Sequence, residues 1–126
     1  MTGLLIGFYF REKTVYIGIN TMEAIGMPKY VHCYVNEDDK CIFLEGCEKD
    51  LDAAKVRCQR NRVTGNLYYT LSAPGFLKWM ADIMGIKPDS ESVRMSGRYI
   101  EGENIVCYDL TDYDVIPYNE QKGWRE

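Results

Sequence analysis

Lys55, Arg57, Arg60 and Arg62 fall within eight residues, and no acid interrupts them. Guanidinium groups grip phosphate oxygens, and Tyr68 or Tyr69 offers a ring on which a base can stack beside them. A two-stranded ribbon carrying such residues fits a major groove. The bland function of the same residues is a charged hairpin tip that keeps a strand edge soluble. Arg11 and Lys13 make a smaller basic pair earlier in the chain. These six cations are the candidate nucleic-acid-binding residues, with Tyr68 and Trp124 as candidate partner contacts.

Other chemistry finds little footing. His32 is the only histidine, which limits acid–base and nucleophilic schemes, and on an alternating strand it has an ordinary structural role. The five cysteines (Cys33, Cys41, Cys47, Cys58, Cys107) form no C-x-x-C pair, and most lie among apolar strand residues. That pattern reads as reduced structural thiols rather than a disulfide framework or a zinc site. Asp109-Leu110-Thr111-Asp112-Tyr113-Asp114 lacks the glycine and terminal glutamate of a calcium loop and reads as a solvated turn. Neither a P-loop nor a dinucleotide-binding glycine pattern occurs. The expectation is a non-enzyme without cofactor or metal; a ligand pocket around His32, Tyr34 or Tyr68 would be needed to revive a small-molecule function.

The 126 residues suit one domain, with 46% hydrophobic and 27% charged residues and ten tyrosines. A formal charge of −4 argues against a non-specific polyanion binder, but leaves room for a local basic face. No segment reaches the roughly 20 apolar residues of a membrane span. Met1 to Phe8 has no basic start and reads as a first strand rather than a signal peptide. A cytoplasmic protein with no membrane association is expected.

The elements that must position these residues follow from the apolar patterning. Leu4–Phe10 and Thr14–Ile19 flank a short charged break and read as a hairpin. Asn20 is placed to cap a short helix that Gly26 ends. Tyr30–Val35 and Cys41–Leu44 form a second hairpin around Asn36–Lys40. A symmetric loop there puts Val31, Cys33, Val35, Cys41 and Phe43 on one face, and His32, Tyr34, Ile42 and Leu44 on the other. A third hairpin, Ala54–Gln59 with Leu67–Leu71, presents the basic cluster. Pro74 opens a helix whose stripe is Phe76, Leu77, Met80, Ile83 and Met84, and Gly85 stops it. Trp79 beside that stripe is assigned to core packing. Ser92–Tyr99 and Asn104–Leu110 close a fourth hairpin, and residues 111–126 read as a polar tail containing Trp124.

Two halves therefore match, repeat 1 over 4–47 and repeat 2 over 53–110, each strand–strand–helix–strand–strand. Both helices exit through an apolar-Gly-apolar triplet, Ile25-Gly26-Met27 and Met84-Gly85-Ile86. Each half resembles the SpoVT/AbrB family of swapped-hairpin domains, and the tandem resembles the MraZ arrangement. The resemblance implies an α+β, mostly β fold: a pseudo-twofold barrel from two ββαββ repeats in one domain over 1–126. It also implies a DNA-binding transcriptional regulator, with double-stranded DNA as partner and association with a second copy left open. The first helix carries Asn20 and Glu23 and no arginine, and the Asp-x-x-x-Arg signature of MraZ is absent. These departures favour the alternative, a protein-interaction module of antitoxin or mobile-element-inhibitor type with a protein partner and no DNA binding.

Overall fold

The computed structural model describes residues 3–49 and 53–117. Trp124, expected as a partner contact, lies outside the described residues. Among the described residues ten strands and two helices follow in the order β1 (Leu4–Tyr9), β2 (Thr14–Ile17), α1 (Ile19–Ala24), β3 (Tyr30–Asn36), β4 (Cys41–Cys47), β5 (Ala54–Lys55), β6 (Arg57–Arg60), β7 (Leu67–Ser72), α2 (Pro74–Met84), β8 (Glu91–Ile100), β9 (Ile105–Asp109) and β10 (Asp114–Pro117). Hydrogen bonding joins them in the order β5-β3-β4-β9-β8-β1-β2-β7-β6, every pair antiparallel, with β10 on β8. The two ends of this path, β5 and β6, are separated in the chain by Val56 alone. The sheet thus returns almost to its start and makes a nearly closed, mostly β barrel, which leaves few strand edges bare.

Alternation along the strands fills the interior. Ile6 and Phe8 of β1, Val15 and Ile17 of β2, Leu71 of β7, Val93 and Met95 of β8, and Val106 and Tyr108 of β9 are all essentially sealed from solvent. From α1 and its exit come Met22 and Ile25, and from α2 Leu77, Met80 and Ala81. No helix among the described residues is long and apolar enough to cross a membrane.

Several local expectations need correction. Gly18, not Asn20, stands at the N-cap of α1, so the cap has no side-chain hydrogen bond. Asn36 pairs with Cys41, leaving a loop of Glu37–Lys40 that is one residue shorter than expected. A one-residue change flips every side chain beyond it. Ile42 and Leu44 therefore join Val31, Cys33 and Val35 on the core face, while Cys41 and Phe43 turn outward with His32 and Tyr34. Trp79 and Ile83 are about two-fifths exposed, so the buried stripe of α2 is narrower than the sequence pattern. Residues 114–117, expected within a tail, pair with β8. The helix exits behave as read: Gly26 and Gly85 both hold left-handed backbone, at φ 86° and 69°.

The Tyr108 hydroxyl is buried without a hydrogen-bond partner among the described residues. Thr21, on the helix it faces, donates to the Leu5 carbonyl at 2.9 Å and offers the Tyr108 hydroxyl no more than a poorly formed bond. An unsatisfied buried hydroxyl costs about 1–3 kcal/mol. Tyr108→Phe should therefore leave the urea midpoint unchanged or raise it, by up to about 1 kcal/mol of stability. A loss of more than that would show the hydroxyl to be bonded after all.

Candidate nucleic-acid interface

The β6–β7 hairpin has a built tip. The Asn61 side-chain oxygen accepts the Val63 and Thr64 N–H groups at 2.8 and 2.9 Å. Gly65 holds φ 76°, which only glycine adopts without strain, and its N–H donates to the Asn61 carbonyl at 2.9 Å. The Asn61 N–H closes the loop onto the Asn66 carbonyl at 2.8 Å, and Arg60 Nη1 donates to the Gly65 carbonyl at 2.7 Å. Arg60 thus spends one donor bracing the loop and keeps the rest of its fork exposed.

Register decides where the cations point. Arg57 lies opposite Thr70, Gln59 opposite Tyr68 and Arg60 opposite Leu67. Arg57 and Gln59 therefore share the outer face, and Arg60 turns to the other. On that outer face Tyr68 donates to Gln59 Oε1 at 3.1 Å and stacks on Tyr16, with ring centres 5.2 Å apart and planes 14° from parallel. Tyr9 follows Tyr16 at 5.2 Å, so three tyrosines cross β1, β2 and β7 in a row. A shallow cavity of about 280 Å³ lies between Arg57, Gln59, Tyr68 and Thr14.

The six predicted cations do not make one patch. All are exposed. Arg57, Arg60 and Arg62 belong to the hairpin and its tip. Lys55 sits beyond the break at Val56, paired with Tyr30 on β3. Arg11 and Lys13 lie in the β1–β2 turn, where Lys13 adopts φ 56° and its carbonyl accepts the Ala73 N–H at 3.3 Å. That is at the far end of β7 from the arginine tip, about 17 Å of strand away. Tyr68 is half-buried beside Gln59, whereas Tyr69 faces inward and is 7% exposed, so it offers no ring to a ligand. Gln59 completes the exposed outer face and escaped the sequence reading, whereas Thr70 and Tyr16 share that register but are buried; only the six-residue loop, Asn61–Asn66, would have set the register that aligns them.

Elsewhere, His32 Nδ1 lies 3.7 Å from Glu45 Oε1, and Tyr34 stacks on Phe43 at 5.3 Å. Among the described residues no group of three or more His, Cys, Asp or Glu side chains is gathered to hold a metal ion. Asp109 accepts the Thr111 hydroxyl and N–H at 2.6 and 2.8 Å, and these bonds hold its carboxyl below the usual range. The acidic segment is a turn built on those bonds.

Burial pushes the Cys33 thiol up to about 12, and it packs on the core, whereas Cys58 is exposed on β6. Only thiolate alkylates, so at pH 8 iodoacetamide should modify Cys58 first and leave Cys33 intact in the folded protein. Mass mapping of partially labelled protein checks this; equal labelling of the two would contradict the inward register of Cys33.

A scan against protein-family models and searches of curated proteins and of solved structures return no match to this chain.

Proposed function

We propose that the chain is a non-enzymatic, double-stranded-DNA-binding regulator built from two AbrB-like units in tandem. The strand pairing supports the two-unit reading. Exchanging β1, β2, β3, β4 with β6, β7, β8, β9 maps β1–β2 onto β6–β7 and β3–β4 onto β8–β9. It leaves β2–β7 and β4–β9 as self-related seams. The remaining contact, β1 with β8, corresponds to β3 with the strand segment that begins at β5. Two units in one chain then do what single-copy members of that family do by interleaving two chains.

The observation that carries the function is the arginine hairpin. Arg57, Arg60 and Arg62 are exposed on a braced ribbon, and none is ion-paired with a carboxylate among the described residues. Such a ribbon meets phosphates without first breaking internal bonds. Neutralising three phosphates gives a log–log salt slope of about −2.7, so the affinity for duplex should fall about fortyfold between 50 and 200 mM salt. Fluorescence anisotropy with a labelled random duplex measures it, and salt-independent binding or none would remove the proposal. Val63, at the tip between Arg62 and Thr64, is 83% exposed and favours the second reading, a protein partner seated on the same hairpin. In that case no duplex binding appears, and Val63→Ser weakens co-purification of the partner.

A further inference from the structure

Between the β1–β2 turn and α2 lies a cleft of about 410 Å³, away from the arginine hairpin. That volume falls in the range of small-ligand sites. Its accessible apolar walls are Pro74, Gly75 and Pro88, and beneath them lie the buried core side chains Phe10, Leu77 and Ala81. Its mouth is basic. Arg11 and Lys13 come from the turn and Lys78 from α2, against a single carboxylate among the described residues, Asp89. This distribution opposes the chain's net charge of −4.

The cleft is formed before anything enters it. Lys13 is held in left-handed backbone by its N–H bond to the Phe10 carbonyl at 3.1 Å. The Ala73 N–H donates across to the Lys13 carbonyl at 3.3 Å, which fixes the turn against the start of α2. Gly75 lines the opening and a Cβ built there meets nothing within 4 Å, so the space beside it is open. A preformed apolar cleft under a cationic mouth selects an occupant with an apolar body and one anionic end. The ionised end stays at the solvated mouth beside the lysines and avoids the cost of burying charge.

We infer that this cleft binds small amphipathic carboxylates, with the hydrocarbon along Pro74, Gly75 and Pro88 above the core and the carboxylate between Lys13 and Lys78. The site stands independently of the DNA-binding proposal. Calorimetric titration of the full chain with octanoate, and with octan-1-ol as the neutral analogue, tests it. Octanoate should bind saturably at one site per chain, and octan-1-ol about tenfold more weakly, the loss of two exposed charge contacts. The double substitution Lys13→Gln/Lys78→Gln should bring octanoate down to the octan-1-ol level and leave octan-1-ol unchanged. Gly75→Leu fills the opening at a helical position that favours leucine over glycine, so it should abolish binding of both without unfolding the chain. No saturable octanoate binding, octan-1-ol binding as tight as octanoate, or octanoate binding untouched by both variants would each overturn the inference.

Discussion

Gly97→Ala should cost about 3 kcal/mol of stability, at the upper end of what overpacking a well-filled core does. A Cβ at this position on β8 would lie 2.6 Å from Tyr108 Cε2 and 2.7 Å from both Tyr108 Cδ2 and the Cys107 carbonyl oxygen. None of those atoms belongs to a flexible side-chain end. Tyr108 is fully buried, and Cys107 is fixed by pairing with Phe43 on one side and Arg98 on the other. The β8–β9 seam must therefore open, or the ring must leave its site. In a chain of this size the melting midpoint should fall by roughly 10 °C. Gly75→Ala provides the contrast: its Cβ meets nothing within 4 Å, and a helix prefers alanine, so this variant should be at least as stable as the parent. Urea melts of the two variants measure the difference, and equal midpoints would contradict the packing of Tyr108 against β8.

Local patterning carried much of this fold. The stripe Phe76, Leu77, Met80, Ile83 and Met84, bounded by Pro74 and Gly85, marks α2 almost to the residue, although Ile83 stays exposed and Ala81 is buried in addition. The hairpins were legible because β-rich runs alternate with polar turns. What failed were features that depend on counting loops or on distant partners. The Asn36–Cys41 pairing shortens one loop by a residue, and the facing of all of β4 follows from that. The run from Ala54 to Gln59 reads as one strand, yet it divides at Val56, whose N–H donates to the Lys29 carbonyl while the two parts pair with β3 and β7. That division is what brings the sheet nearly full circle, and nothing local to Val56 announces it.

The candidate site was legible as a composition, not as an arrangement. Arg57 and Arg60 are three apart, so a strand sends them to opposite faces. Lys55 is two from Arg57 but falls across the break. Arg11 and Lys13 prove to flank the cleft beside α2, at the other end of β7. The tyrosine row from Tyr9 through Tyr16 to Tyr68 joins residues from three strands, and only their register aligns it.

Replacing Arg57, Arg60 and Arg62 together by alanine should abolish duplex binding while leaving the barrel intact. Three phosphate contacts near 0.1 M salt amount to a loss of several hundredfold, and the salt slope should fall towards zero. All three residues are exposed, and Arg60 gives up a single exposed bond to Gly65, so stability should change by no more than about 0.5 kcal/mol. The titration that decides the matter follows the parent and the Arg57→Ala/Arg60→Ala/Arg62→Ala variant against one labelled duplex at 50 and 200 mM salt. The parent should bind and weaken about fortyfold across that range, and the variant should show no saturable anisotropy change at either concentration. A parent that does not bind, or a variant that tracks the parent, would contradict the arginine hairpin as a DNA-binding element.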